Sequence, residues 1–238
     1  MTGERHAAGL DEGLRLIGHA RAEGARDFTL MGRRWELAEG VFSPVHTHGT
    51  EFYTRALPYP IGGRFLEVGS GAGVTSVTAA LAGCAAVTAV DVNPSAVTAT
   101  ARNAARHGVP WVRALVGDVF SAVRQDAPYD AVFWNIPYVS LPEAGDHDPD
   151  LAKGVFDIGH RCLRAYLGGA ADVLAPGGRL FLGLGDIGDR TTMETVAAAN
   201  RWHAVLLAAL AAPPDPHVEH RLFELVRATA PDGPGDRR

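Results

Sequence analysis

Lysine is nearly missing from these 238 residues: Lys153 is the one lysine among 22 lysine and arginine side chains. Together with abundant alanine and 28 glycines, this bias reads as a GC-rich coding background and not as a functional choice. Cysteine is scarce too. Cys84 and Cys162 stand alone without C-x-x-C spacing, which excludes a disulfide framework and fits a reducing, cytoplasmic setting. No apolar run approaches the ~18 residues of a membrane-spanning helix. The opening M-T-G-E-R-H-A-A-G-L carries charge where a secretory signal carries an apolar stretch. The net charge is −5, and no basic tail or arginine stripe stands out, so the balance argues against nucleic acid as a partner.

What is present is one domain's worth of alternating pattern. Leu10, Leu14 and Ile17 sit at helical spacing in residues 7–23. F-T-L-M-G-R-R-W-E-L (28–37) reads as two short strands around a Gly32 turn, 41–49 as a loop, and Thr50 to Leu57 as one or two helical turns. Residues 1–60 are therefore expected to form an appendage that caps the substrate side of a core at 61–228, with a disordered tail at 229–238.

From Arg64 strands and helices alternate. R-F-L-E-V-G, A-A-V-T-A-V-D, W-V-R-A-L-V-G-D, Y-D-A-V-F-W-N and R-L-F-L-G-L-G are five strands; Gly73 to Leu81, Pro94 to His107 and Asp157 to Leu174 are helices between them. Continuous apolar strands separated by helices imply a parallel sheet covered on both faces, a Rossmann-like α/β fold. W-H-A-V-L-L-A-A-L and H-V-E-H-R-L-F-E-L-V are joined by too short a link for a crossover helix, so they form a C-terminal antiparallel hairpin and complete a mostly parallel seven-stranded sheet.

L-E-V-G-S-G-A-G (66–73) crosses from a strand to a helix. Gly69, Gly71 and Gly73, with Ser70 between, let the backbone turn sharply and approach a ligand. Dinucleotide sites place glycines here as well, but G-x-G-x-x-G fails because Val74 follows Gly73. The tighter G-x-G-x-G suits a nucleoside without a pyrophosphate. Asp91, ending the second strand, can accept from two ribose hydroxyls. Asp118 in G-D-V-F can accept from an adenine amino group, with Val92, Val119 and Phe120 as apolar cover; a helix N-cap is the bland alternative for Asp118.

The fourth strand ends in N-I-P-Y (135–138). With L-E-V-G-S-G-A-G, V-D-V-N-P, G-D-V-F and L-A-P-G-G, this resembles the class I S-adenosylmethionine-dependent methyltransferases over residues 40–228. N-I-P-Y is similar to the N-P-P-Y motif of amino-methyltransferases that act on glutamine side chains or adenine, and the layout is nearest the release-factor glutamine methyltransferases. The resemblance implies an S-adenosylmethionine cofactor held by Glu67, Gly69, Ser70, Gly71, Gly73, Asp91, Val92, Asp118, Val119 and Asn135, with Glu67 toward the methionine amino end.

It also implies a nitrogen acceptor at Asn135, Ile136, Pro137 and Tyr138. An amide, guanidine or ring-amino nitrogen has a delocalised lone pair and attacks poorly. Accepting its N–H hydrogens on the Asn135 side-chain carbonyl and the Ile136 backbone carbonyl enriches the nitrogen and aims the lone pair. Pro137 stiffens the loop, and Tyr138 offers a flat face to a planar substrate. Ile136 replaces the first proline of the motif, and about 60 residues precede the core where the release-factor enzymes carry a larger helical domain. A small-molecule amine, amide or guanidine thus stands beside a protein side chain as acceptor. An RNA or DNA adenine methyltransferase is the alternative, and a nicotinamide oxidoreductase is disfavoured by the glycine spacing.

Other features are weaker. His46 and His48 form H-x-H and His217 and His220 form H-V-E-H, but neither pair has a third ligand nearby, so no metal is expected. His46, His48 and Tyr53 are candidates for the substrate mouth, against a reading of them as polar loop residues. Glu143, Asp146, Asp148 and Asp150 form an acidic loop that could attract a cationic acceptor, against a solvated loop.

Overall fold

The computed structural model describes residues 3–137, 139–141, 154–211 and 218–228. Tyr138, the acidic loop at 143–150, His217 and the tail from 229 lie outside the described residues. The chain opens with α1 (Gly3–Glu23) and a hairpin of β1 (Arg26–Leu30) and β2 (Arg33–Leu37). Met31 and Gly32 turn it with φ of 54° and 73°, the two left-handed residues that match the twist of paired strands. A 3-10 turn (Pro44–His46) and α2 (Gly49–Ala56) follow.

The alternating core is β3 (Arg64–Val68), α3 (Val74–Leu81), β4 (Ala86–Asp91), α4 (Pro94–Arg106), β5 (Arg113–Val116) and β6 (Tyr129–Asn135). Next come β7 (Val139–Leu141), β8 (Phe156–Ile158), α5 (Arg161–Val173), β9 (Leu174–Gly185), α6 (Arg190–Ala199), β10 (Trp202–Leu210) and β11 (His220–Arg227). Seven strands make one sheet in the order β10-β11-β9-β6-β3-β4-β5. The strands from β5 to β9 pair in parallel, and β11 runs antiparallel to both β9 and β10. This is the expected Rossmann-like α/β sheet with its C-terminal hairpin.

Two differences have local causes. The helix expected from Asp157 starts at Arg161, and Phe156–Ile158 pairs in parallel with Val139–Leu141 instead. The buried Asp157 carboxylate accepts the N–H groups of Cys162 (2.8 Å) and Leu163 (3.0 Å), which caps the helix from outside it. His160, at φ 55°, breaks the chain direction between strand and helix. The second difference is α6, a helix without a counterpart in the sequence reading. Its signals are short: Asp189 accepts the N–H of Thr192 as N-cap, and Met193, Val196 and Ala197 bury one face.

Residues from the first sixty share a core with the sheet. Phe28, Trp35, Leu37, Val41, Tyr53 and Leu57 belong to the same buried cluster as Phe65, Val77 and Phe133. Helix α1 packs Ile17 and Ala20 on Val139, Val155 and Phe156. A Cβ on Gly13 would stand 2.5 Å from the Phe156 ring, so glycine there sets how close helix and ring come.

One buried amide ties these layers together. The Asn103 side chain of α4 accepts the Glu36 N–H and donates to the carbonyls of Glu36 and Ala72, each at 2.8 Å. It therefore links β2, the glycine loop and α4. Asn103→Leu leaves three backbone groups without a partner, and the expected loss of stability is about 2–3 kcal/mol in urea unfolding. A loss below ~0.5 kcal/mol would contradict this role.

Candidate active site

Strand β3 has β4 on one side and β6 on the other, so the chain leaves its carboxyl end in one direction and returns beyond it. In open α/β sheets a crevice forms at such a switch point. Here it is a cavity of about 250 Å³. Its walls include Glu67, Gly69, Ser70, Gly71, Asp91, Val92, Asp118, Val119, Asn135 and Pro137. Residues spread over 71 positions of the chain thus meet at the ends of four parallel strands.

The glycine loop explains itself atom by atom. Gly69 has φ 68°, and a Cβ there would lie 2.4 Å from the Trp134 indole nitrogen. Its N–H and that of Ser70 both donate to the Val90 carbonyl. Gly71 has φ 53° with open space where a Cβ would go, and its N–H donates to Asp91 at 2.9 Å. At Gly73 (φ 78°) a Cβ would stand 2.8 Å from Thr100, so glycine there lets the loop and α4 pack closely.

The acids divide the cleft. Asp91 holds the N–H of Gly71 with one oxygen and that of Asn93 with the other; burial raises its pKa while these N–H bonds lower it. A carboxylate has about four lone-pair sites, so capacity for ligand hydroxyls remains. Glu67 is buried and accepts the N–H and hydroxyl of Ser76. Burial pushes its carboxyl up to about 7, against the hydrogen bonds from Ser76 and Thr75. Asp118 is exposed, and its N–H donates to Ser121 Oγ in a turn, so it caps no helix. Val92 and Val119 line the cavity, Val119 at φ 52°, a costly backbone for a β-branched residue. Phe120 is turned away into the core, stacked on Tyr166, which corrects its expected place as a ring cover.

Asn135 ends β6 beside Gly183 of β9. Its side-chain oxygen is buried and has no hydrogen-bond partner, although the residue lines the cleft. A buried amide oxygen left so costs about 1–3 kcal/mol unless a ligand fills it. Ile136 is 2% exposed, with its side chain in the core and its N–H on the Gly183 carbonyl; only its backbone remains for a ligand. Of the residues expected at the mouth, Tyr53 lines the cavity, while His46 and His48 do not. His46 stacks on His19 at 4.7 Å, and His48 precedes α2.

The far lip was not anticipated. Phe156, Ile158, Arg161 and Cys162 line the cleft because β8 and the start of α5 bend over it. Burial, with the neighbouring Asp157 carboxylate, pushes the Cys162 thiol up to about 12, away from the thiolate form. Among the described residues no three His, Cys, Asp or Glu side chains cluster as metal ligands, and no helix is long and apolar enough to cross a membrane.

A Rossmann-like sheet whose switch-point cleft is lined by G-x-G, a strand-end acid, Asn135 and Pro137 is the arrangement of class I methyltransferases. The chain belongs to the methyltransferase small domain family, whose model matches residues 35–186. It is 30% identical over 207 residues to a 4-amino-L-phenylalanine/4-methylamino-L-phenylalanine methyltransferase of Streptomyces pristinaespiralis, covering 79% of this chain and 66% of that protein. It is 34% identical over 185 residues to the release factor glutamine methyltransferase of Bordetella pertussis, covering 71% and 65%. The chain thus spans just under two thirds of the length of these relatives. In structure it resembles a ribosomal protein L11 methylase from Lactobacillus delbrueckii subsp. bulgaricus, with TM-score 0.57, 16% identity and coverage of 81% and 84%. A 16S rRNA N2 G1207 methyltransferase of T. thermophilus, in complex with AdoMet and guanosine, also gives 0.57, at 20% identity and coverage of 84% and 50%. At these identities the structural likeness concerns the fold.

The buried Glu67 gives the fold a pH dependence of definite sign. Its folded pKa of about 7 lies above the ordinary 4.5, so the folded state holds the proton more tightly. Its contribution is fully present below the ordinary value and is lost as pH rises through about 7. The expected loss between pH 5 and pH 8 is at most about 3 kcal/mol in urea unfolding. Glu67→Gln should flatten that difference; an unchanged profile would contradict it.

Proposed function

We propose that the chain transfers a methyl group from S-adenosylmethionine to a conjugated nitrogen, an amide or an aromatic amine, of a small molecule or protein side chain. The observation that carries this reading is the buried, unpartnered Asn135 oxygen on the cleft wall. The cofactor, when bound, supplies a methyl group on a positively charged sulfur that leaves with the bonding pair. The open space at Gly71 and the strand-end Asp91 fit its nucleoside. Asp91 would accept from the ribose hydroxyls, Asp118 from the adenine amino group, and Val92 and Val119 would cover the ring. Glu67 would meet the methionine ammonium, which favours its charged form. Gly69, Ser70 and Gly71 bring backbone close to the ligand.

Asn135 and the Ile136 carbonyl would accept the acceptor's N–H hydrogens, and Pro137 fixes the loop that carries them. In-line geometry then supplies much of the acceleration. The names of the two relatives support this class, since 4-amino-L-phenylalanine and glutamine both present a nitrogen conjugated with a π system. Residues 3–60 would serve as the substrate-side cap, with α2 supplying Tyr53 and the segment before it Phe42 and Pro44. The same N-I-P-Y chemistry serves adenine in RNA or DNA, a reading that the net charge of −5 does not favour.

Isothermal titration with S-adenosylmethionine, its demethylated product and NAD tests the cofactor. Micromolar binding of the sulfur nucleosides without NAD is expected, and labelled methyl should then pass to amides or arylamines in preference to RNA. Binding of NAD alone, or labelling of oxygen acceptors only, would overturn the reading.

A further inference from the structure

We propose that Tyr53 and His220 form a relay that removes the proton from the acceptor nitrogen, a role that rests on the nitrogen-acceptor reading above. Tyr53 of α2 is fully buried, and it lines the cleft. Its ring lies over Gly183, where a Cβ would stand 2.9 Å from the ring carbon bearing the hydroxyl. Gly183 is the strand neighbour of Asn135, so the phenol packs on the strand position beside the residue assigned to the acceptor. The hydroxyl oxygen is 3.4 Å from His220 Nδ1. His220 begins β11, is 2% exposed, and its Nε2 is buried without a partner. Gly49 makes room for it, since a Cβ there would come within 3.0 Å of the imidazole. Two glycines thus hold open the space of a buried, uncharged pair 167 residues apart in the chain.

The chemistry gives such a pair a use. When nitrogen bonds to the methyl carbon, the carbon–sulfur bond breaks with its electrons on sulfur, and the nitrogen is left cationic with a surplus proton. The Asn135 oxygen orients an N–H but is too weak a base to keep its proton. Among the described cleft carboxylates, Glu67 and Asp91 are engaged with Ser76 and the glycine loop, and with Asp118 they line the end given to the cofactor. The Tyr53 oxygen can accept the nitrogen's proton while its own passes to His220 Nδ1, leaving a neutral methylated acceptor and an imidazolium that later yields its proton to water.

The groups facing the imidazole suit a transient charge. Burial and His48 pull its pKa down to about 4, while Asp186 and Glu12 act in the opposite direction. A base this weak can deprotonate only a nitrogen whose cationic form is a strong acid. A methylated amide or arylamine fits that description better than an aliphatic amine.

The relay requires Nε2 to carry the imidazole proton. Nitrogen NMR of histidine-labelled protein should show His220 neutral, protonated at Nε2, from about pH 6 to about pH 9, with its Nδ1 signal displaced in Tyr53→Phe. Protonation at Nδ1 would overturn the proposal without any assay. In turnover, Tyr53→Phe and His220→Asn should each lower kcat about a hundredfold, with KM and cofactor affinity within about threefold. An unchanged kcat in both variants, or a loss confined to KM, refutes the relay and leaves the acceptor reading intact. A wild-type protein that methylates no nitrogen refutes both.

Discussion

The hydrogen bond from the Gly71 N–H to the Asp91 carboxylate, 2.9 Å long, joins the ends of two neighbouring strands across the switch point. It requires the left-handed glycine backbone at 71, and it orients the acid that ends β4. Thr100 adds a second tie by donating to the Gly71 carbonyl, while Asn103 holds the adjacent Ala72 carbonyl. The loop is therefore pinned from its own sheet and from α4. A loop so constrained loses little further freedom when a ligand arrives, which is the physical meaning of a preformed site.

The other half of the cleft is built by unlike means. On the β6 side a side-chain oxygen is buried without a partner, in a cleft that the buried aromatic residues Tyr53, Phe133 and Trp134 also line. Polar satisfaction at one end and deliberate lack of it at the other fit a tightly held cofactor and an acceptor admitted beside it. The N-terminal segment contributes to both halves, since β2 braces the glycine loop through Asn103 and α2 roofs the acceptor end through Tyr53. Cutting the chain before β3 would expose Phe65 and Phe133 along with this site.

The parallel strands were legible because their apolar runs are continuous and bounded by glycine or proline, and the glycine loop because its spacing has few other uses. The strand-end positions of Asp91 and Asn135 followed directly. What escaped was short or remote. Strand β8 spans three residues whose composition does not differ from a helix start, and only the Asp157 cap moves the boundary to Arg161. Helix α6 follows a loop rich in glycine and aspartate that hides its N-cap. His220 stood in the sequence only as half of an H-x-x-H pair; its contact with Tyr53 exists because β11 inserts between β9 and β10. The close packing of Gly73 on Thr100 was likewise invisible in the motif.

The central claim is that the Asn135 side-chain oxygen receives the acceptor nitrogen and not the cofactor, and Asn135→Ala tests it with calorimetry and turnover on the same preparation. Cofactor affinity within about threefold of wild type, with kcat lowered roughly a hundredfold or more, is the result this account predicts. Turnover equal to wild type with cofactor affinity intact would contradict it.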